Sequence, residues 1–242
     1  MHPLPPRMDA FRVAFHSALS TPLVADSACR CGVPVGVAGH LIRPLADGYR
    51  IAGPACTVEA NNDLVSILLA LHRAPRGSVL VIGNAVQGPA GLTGDIIATE
   101  ARRKGIEAIV ADGFVRDTAE IRRVGQPVFA KGRIPVGPLI LPPSEKGIGT
   151  LDVPVRVGDT LVRPGQWLIG DDDGVLVLNA TDLPAILAQA EETLKKEEDL
   201  TGRLRTGTAL GDIFGIEAFA RKRTEDPQAD FNAHVASQGD AI

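Results

Sequence analysis

The stretch that most constrains this chain runs from Ser78 to Asp112. It opens with Ser78-Val-Leu-Val-Ile-Gly83, an apolar run without polar alternation, as expected of a strand covered on both faces. A glycine-rich loop follows, Gln87-Gly-Pro-Ala-Gly-Leu-Thr-Gly94. Asp95 to Lys104 then carries Ile97, Ala98 and Ala101 at helical spacing and stops at Gly105. Ile106-Glu-Ala-Ile-Val-Ala-Asp112 is a second run of the buried type. Strand, helix and strand in this order predict a βαβ unit with parallel strands. Both strands then end on one edge of the sheet, the edge at which open α/β sheets bind ligands.

The flanking sequence fits a single α/β domain over residues 1–242. Phe11, Ala14, Phe15, Ala18 and Leu19 have helical spacing, so residues 1–20 are read as an N-terminal helix. Val33 to Val58 reads as short strands and turns, and Asn62 to His72 as a helix. Trp167-Leu-Ile-Gly170 pairs with Val175-Leu-Val-Leu178 across an acidic turn. A helix from Asp182 to about Asp199 sets an apolar stripe against a dense charge run, and residues 211–242 read as a polar tail or an oligomer arm.

Composition narrows the function. A net charge of −4 with 4% aromatics argues against nucleic-acid binding, which uses basic patches and stacking rings. No run approaches the length of a membrane helix, and the N-terminus lacks the apolar core of a signal peptide. Cys29, Cys31 and Cys56 form neither a disulfide framework nor a zinc pattern, so the chain reads as a cytoplasmic protein with reduced thiols.

Two segments meet at the predicted sheet edge. Gly91-Leu-Thr-Gly94 runs into Asp95 at a helix start, where glycines and unpaired amides favour an anion such as a carboxylate. Gly113-Phe-Val-Arg116-Asp117 lies just past the second strand. Arg116 offers a fork for a carboxylate or enolate oxygen, and Asp95 and Asp117 offer hard oxygens suited to Mg²⁺ or Mn²⁺. Structural readings stand beside these. Asp95 can complement the helix dipole with Thr93 as N-cap, Asp117-Thr-Ala-Glu120 fits a capping box, and Arg116 can be a surface residue. Asp171-Asp-Asp-Gly174 reads as a hairpin turn, not a Ca²⁺ loop, and nothing around Lys131 or Lys146 marks a Schiff-base lysine.

At these residues the chain resembles the RraA-like family, which includes class II pyruvate aldolases acting on 4-hydroxy-4-methyl-2-oxoglutarate and 4-carboxy-4-hydroxy-2-oxoadipate. The aldolase branch carries an acid, twenty residues and Arg-Asp, here Asp95-x20-Arg116-Asp117, with a further acid at Glu120. Ile51-Ala-Gly-Pro-Ala-Cys-Thr-Val58, Gly125-Gln-Pro-Val-Phe-Ala-Lys-Gly132, Val162-Arg-Pro-Gly165 and Asp172-Asp-Gly-Val-Leu-Val177 also match, over about residues 20–210.

The resemblance implies an RraA-like α/β domain, its βαβ-containing sheet layered with helices and its C-terminal helix making oligomer contacts in a homotrimer or hexamer. It implies Asp117 as direct ligand of Mg²⁺ or Mn²⁺, Asp95 holding the metal through water, and Glu120 as a further metal ligand. Arg116 would grip the substrate, and the backbone at Gly91, Leu92, Thr93 and Gly94 would bind the pyruvyl carboxylate. Glu197, with Glu192 in reserve, would reach a neighbouring subunit's site. The implied reaction is retro-aldol cleavage of a 4-hydroxy-2-oxo acid to pyruvate, with oxaloacetate decarboxylation as a side activity. A second branch resembles the regulator that binds ribonuclease E, and it typically lacks the acid of the Arg-Asp pair. A lyase or isomerase acting on another hydroxy or sugar acid is the third alternative.

Overall fold

The structure, a computed structural model, describes residues 6–85, 88, 90–137 and 149–237. Helices α1 (Pro6–Ser17) and α2 (Thr21–Arg30) lead into two short strands, β1 (Gly36–Val37) and β2 (Arg43–Pro44), and the long strand β3 (Ile51–Glu59). Then come α3 (Leu64–Arg73), β4 (Val79–Gly83), β5 (Gly91–Thr93), α4 (Asp95–Lys104) and β6 (Ala108–Val115). Helix α5 (Thr118–Val124) and β7 (Val128–Arg133) complete that half. Five strands follow: β8 (Thr150–Leu151), β9 (Val155–Val157), β10 (Thr160–Val162), β11 (Trp167–Asp171) and β12 (Gly174–Leu178). The chain ends in α6 (Leu183–Arg205), α7 (Leu210–Ile213), α8 (Ile216–Glu225) and α9 (Phe231–Ser237). None of the described helices is long and apolar enough to cross a membrane.

The fold is α/β, as expected, and the chain divides into two compact units, Met1–Leu187 and Ala188–Ile242. In the first, the sheet runs β1-β12-β11-β3-β4-β6-β7-β2, with β5 added to β6 and β8 to β3. Its centre, β3-β4-β6-β7, is parallel, with Val79 opposite Ala108 and Ile82 opposite Ala111. The apolar runs lack alternation because both faces of β4 and β6 are buried. Leu80, Ile82, Ile109 and Ala111 pack with Ile67 and Leu71 of α3 and Ile97, Ala98 and Ala101 of α4. Val79, Val81, Ala108 and Val110 pack instead with Val155, Val162, Leu168 and Val175. Helices thus cover one face, while strands of the curled sheet and the β9–β10 hairpin cover the other. Gly105 closes α4 in the left-handed conformation, at φ 70°. The acidic turn joins β11 to β12 as read, and buried Asp171 accepts bonds from the Thr21 amide at 2.7 Å and hydroxyl at 2.6 Å.

Helix α1 is held to the sheet by polar contacts as well as by Phe11 against Trp167. Arg12 donates to the carbonyls of Ala52 and Gly77, both at 2.8 Å, and Arg50 donates to those of Phe15 and Leu19. His16 Nε2 lies 2.8 Å from Glu107 Oε1, which also accepts from the Ala52 amide at 3.1 Å. Burial pushes the Glu107 carboxyl up, but the bonds from His16 and Ala52 and the charges of His16 and Arg12 outweigh it, leaving it below its ordinary 4.5. A depressed carboxylate stabilises the fold fully above its ordinary value and loses that contribution as pH falls through the depressed one. Glu107→Gln should therefore lower stability at pH 7 and flatten the acid side of the stability curve below about pH 5. Urea unfolding across pH 3–8 measures this; a variant parallel to wild type throughout would refute it.

In the second unit, the segment read as polar from residue 211 forms α7, α8 and α9. An aromatic cluster organises it: Phe219 and Phe231 stack edge-on at 5.0 Å, and Phe214 meets Phe231 at 6.1 Å. Window composition, dominated by charge, hides these few rings.

Candidate active site

Parallel pairing brings the ends of β4 and β6 together, and β5 extends that edge by pairing with the end of β6, Gly91 opposite Phe114 and Thr93 opposite Val115. Backbone bonds fasten three distant segments there. The Arg116 amide donates to Thr93 O at 3.0 Å, the Ile134 amide to Val115 O at 2.9 Å, and the Gly91 amide to Val136 O at 2.7 Å. The last bond corrects one expectation. The Gly91 amide is engaged with Val136 and is not open to a carboxylate; Gly91 serves instead by lacking a side chain, since a Cβ would sit 3.2 Å from the Arg116 nitrogen. Leu92 is 1% exposed and belongs to the core, leaving only its backbone for a ligand.

The structure overturns both capping readings. Gly94, not Thr93, is the N-cap of α4, and the Thr93 hydroxyl is buried with no partner among the described residues. Asp117 precedes α5 at φ 53°, ψ 39°, and makes no capping bond. A left-handed Asp costs on the order of 1 kcal/mol, tolerable because its short polar side chain suits that region. This turn brings Asp117 Oδ2 to 3.1 Å from Arg116 Nε, the side chains being 36% and 38% exposed and so open to a ligand.

Two glycines shape the slot that holds this pair. A Cβ at Gly94 would stand 2.6 Å from Asp117 Oδ2 and 3.3 Å from Arg116 Nε. A Cβ at Gly137 would also collide with the Arg116 guanidinium. Asp95, in the first turn of α4, turns Oδ1 to the Ile96 amide at 2.8 Å. Arg116, Asp95, strand β5 and Gly94 line a cavity of about 180 Å³. Its remaining walls are aliphatic: Leu64 and Leu68 of α3, Ile96 and Ile97 of α4.

The other expected residues are less central. Glu120 pairs with Arg123 at 2.6 Å on the exposed side of α5. Glu197 and Glu192 stand on α6, in the second unit, and Glu192 pairs with Lys196 at 2.9 Å. Lys131 pairs with Asp112 at 2.9 Å, while Lys146, with Gln87 and Pro89 of the glycine-rich loop, lies outside the described residues. Burial, and then the nearby Asp152, push the Cys56 thiol up, which disfavours a nucleophilic thiolate. Among the described residues no three His, Cys, Asp or Glu side chains cluster as a metal site. Sequence reasoning missed Gly137 and the four aliphatic wall residues. The available signal was Ile96, an apolar residue beside the buried stripe of Ile97, Ala98 and Ala101.

The family model described as RraA-like, Aldolase/RraA, matches residues 21–177. A protein of Halalkalibacterium halodurans named "Putative 4-hydroxy-4-methyl-2-oxoglutarate aldolase" is 32% identical over 183 residues, covering 75% of this chain and 82% of that protein. One of the same name from Burkholderia multivorans is 37% identical over 142 residues, 59% of this chain and 83% of that protein. Among solved structures, Streptomyces coelicolor RraAS2, titled an unusual member of the RNase ES inhibitor RraA protein family, superposes with a TM-score of 0.67. It is 24% identical, covering 83% of this chain and 98% of that one, a likeness of fold.

Proposed function

The chain belongs to the RraA-like family, and from that premise we propose that it is a divalent-metal-dependent lyase cleaving a 4-hydroxy-2-oxo acid to pyruvate and a second carbonyl compound. The observation that carries this reading is that Arg116 and Asp95 line one small cavity at the edge of the parallel strands, with the Asp117 carboxylate 3.1 Å from Arg116 Nε. The names of the two relatives support an aldolase.

The donor set fits Mg²⁺ or Mn²⁺. Asp117 carries a part-exposed carboxylate with no capping duty, Asp95 adds a second hard oxygen, and so few protein ligands suit an ion that keeps most of its waters. Asp117 would hold the ion directly and Asp95 through water. When bound, it supplies Lewis-acid polarisation of the 2-oxo group. Arg116 sets its fork on the carboxylate or keto oxygen and stabilises the charge that develops there as the enolate forms. The C3–C4 bond breaks, its electron pair passing to C3 as the enolate of pyruvate. The C4 hydroxyl loses its proton and becomes the second carbonyl, and C3 takes up a proton to become the methyl group. Asp95, with Oδ1 held by the Ile96 amide, keeps Oδ2 to orient a water that relays these protons. Glu197 of a neighbouring copy would complete the site in the trimer or hexamer that the family resemblance implies. Three free cysteines support a reducing compartment, the cytoplasm.

The test is coupled detection of pyruvate from a panel of 4-hydroxy-2-oxo acids with Mg²⁺, Mn²⁺ or EDTA. Turnover should require the metal, with slower release from oxaloacetate, which forms the same enolate. No pyruvate from any substrate would refute the lyase. It would favour a non-catalytic binder of ribonuclease E, a reading that the fold shared with RraAS2 supports, or action on another hydroxy or sugar acid.

A further inference from the structure

We propose that Asp112 and Lys131 are a positioning pair, whose ion pair pins a bulge in β6 and so sets where that strand delivers Arg116 and Asp117. The consequence for turnover rests on the lyase reading; the placement of Arg116 does not. Lys131 Nζ lies 2.9 Å from Asp112 Oδ1, which also accepts the Gly158 amide at 2.8 Å. Asp112 is 5% exposed, and neither residue is among the described ones that line the cavity beside Arg116. Along β6, Ile109 and Ala111 pack on the helix-covered side, and Ala108 and Val110 pack with Val155 on the other. Asp112 continues that second row and meets Gly158, just past β9.

The bulge is written in the ladder. Ala111 pairs with Ala130 and Phe114 with Gly132, so Asp112 and Gly113 on β6 stand against Lys131 alone on β7. The ion pair therefore joins the bulge to the one residue opposite it. Here β6 also changes partner. Up to Ala111 it pairs with β4, and from Phe114 with β5, the strand that leads into Gly94 and Asp95. A Cβ at Gly113 would stand 2.7 Å from Leu92 Cδ1, so the bulge closes directly on β5. Just beyond it the Arg116 amide reaches Thr93 O, and Asp117 turns to Arg116. A bulge bends its strand, increases the local twist and re-aims the side chains that follow. Stability does not account for the pair. Two charges taken out of water cost about as much as their attraction returns, and apolar residues of similar volume often serve as well. An ion pair adds direction, because it joins one particular residue to another and so fixes the point from which the bulge departs.

Two measurements on the full chain test the proposal. Asp112→Asn combined with Lys131→Met removes both charges and leaves neither unpaired in the interior. The Arg116 Nε–H group, held 3.1 Å from Asp117 Oδ2, reports the placement by NMR, its resonance assigned by its loss in Arg116→Lys. The double variant should melt close to wild type, yet that resonance should shift or broaden away. Pyruvate release should fall at least about tenfold, since displacements of about 1 Å act on that scale or above it. Lys131→Arg, which keeps a cation for Asp112, should retain the wild-type resonance and most of the rate. A folded double variant with the wild-type resonance, or with the full turnover of an active wild type, overturns the inference. So does a Lys131→Arg protein as displaced as the double variant. Where the double variant does not fold, Asp112→Asn alone keeps an oxygen for the Gly158 amide and is judged by the same resonance. A displaced resonance in a protein whose wild type cleaves no 4-hydroxy-2-oxo acid upholds the positioning and removes the lyase reading alone.

Discussion

Asp117→Ala should lower metal-dependent pyruvate release by about three orders of magnitude while leaving the protein folded. Removing one group that stabilises developing charge typically costs 10²–10³ in rate, and here the same substitution also removes the proposed direct ligand. Folding should survive because the Asp117 side chain is 36% exposed and caps no helix. The structural costs are an alanine at φ 53°, on the order of 1 kcal/mol, and the loss of a part-exposed ion pair with Arg116, worth about 0–1 kcal/mol. Asp117→Asn removes that ambiguity, since Asn tolerates the left-handed region yet carries no charge. Both variants should melt close to wild type, and both should lose activity. Full metal-dependent turnover in the Asn variant would sink the assigned role.

Gly94→Ala should reduce kcat/KM by about a hundredfold, the scale on which a shift of about 1 Å in reacting groups acts. Gly94 sits at φ −147°, ψ −168°, extended backbone that alanine adopts without strain, so the effect is steric. The new methyl would stand 2.6 Å from Asp117 Oδ2, closer than carbon and oxygen tolerate, and 3.3 Å from Arg116 Cγ and Nε. The carboxylate has to swing away, carrying the ion pair with it. The bond from the Ala98 amide to Gly94 O, which starts α4, does not involve the missing side chain and should persist. Helix content and melting should therefore stay near wild type while kcat/KM falls; unchanged kinetics would show that the slot is looser than the distances indicate.

Much of the scaffold was legible in the chain because burial writes itself into composition. Val79 to Ile82 and Ala108 to Ala111 announce strands covered on both faces, and Gly105 announces the end of the intervening helix. What covers each face is another matter. An unbroken apolar run records that water is absent and says nothing about whether Leu71 of a helix or Leu168 of a strand has displaced it. The same limit applies at the site. Asp95, Arg116 and Asp117 share one sheet edge and can be found by spacing. The left-handed backbone of Asp117 cannot, because Asp-x-x-Glu reads identically whether the carboxylate caps its helix or turns toward Arg116. Thr93 misled for a related reason: a hydroxyl just before a helix looks like a cap, but β5 pairs with β6 and draws that residue inward. Gly137 meets Arg116 through tertiary contact alone, and no local pattern marks it.

The three backbone bonds around Arg116 bear on how such a site can diversify. The amides of Arg116, Ile134 and Gly91 reach carbonyls of Thr93, Val115 and Val136, and none of these bonds depends on the identity of a side chain. Arg116 is therefore framed by main chain, whereas the aliphatic wall of the neighbouring cavity is made of replaceable side chains on α3 and α4. Changes at Leu64, Leu68 or Ile96 can reshape that cavity without relocating Arg116. The frame and the lining of the cavity can thus vary separately, the one fixed by main chain and the other open to side-chain exchange.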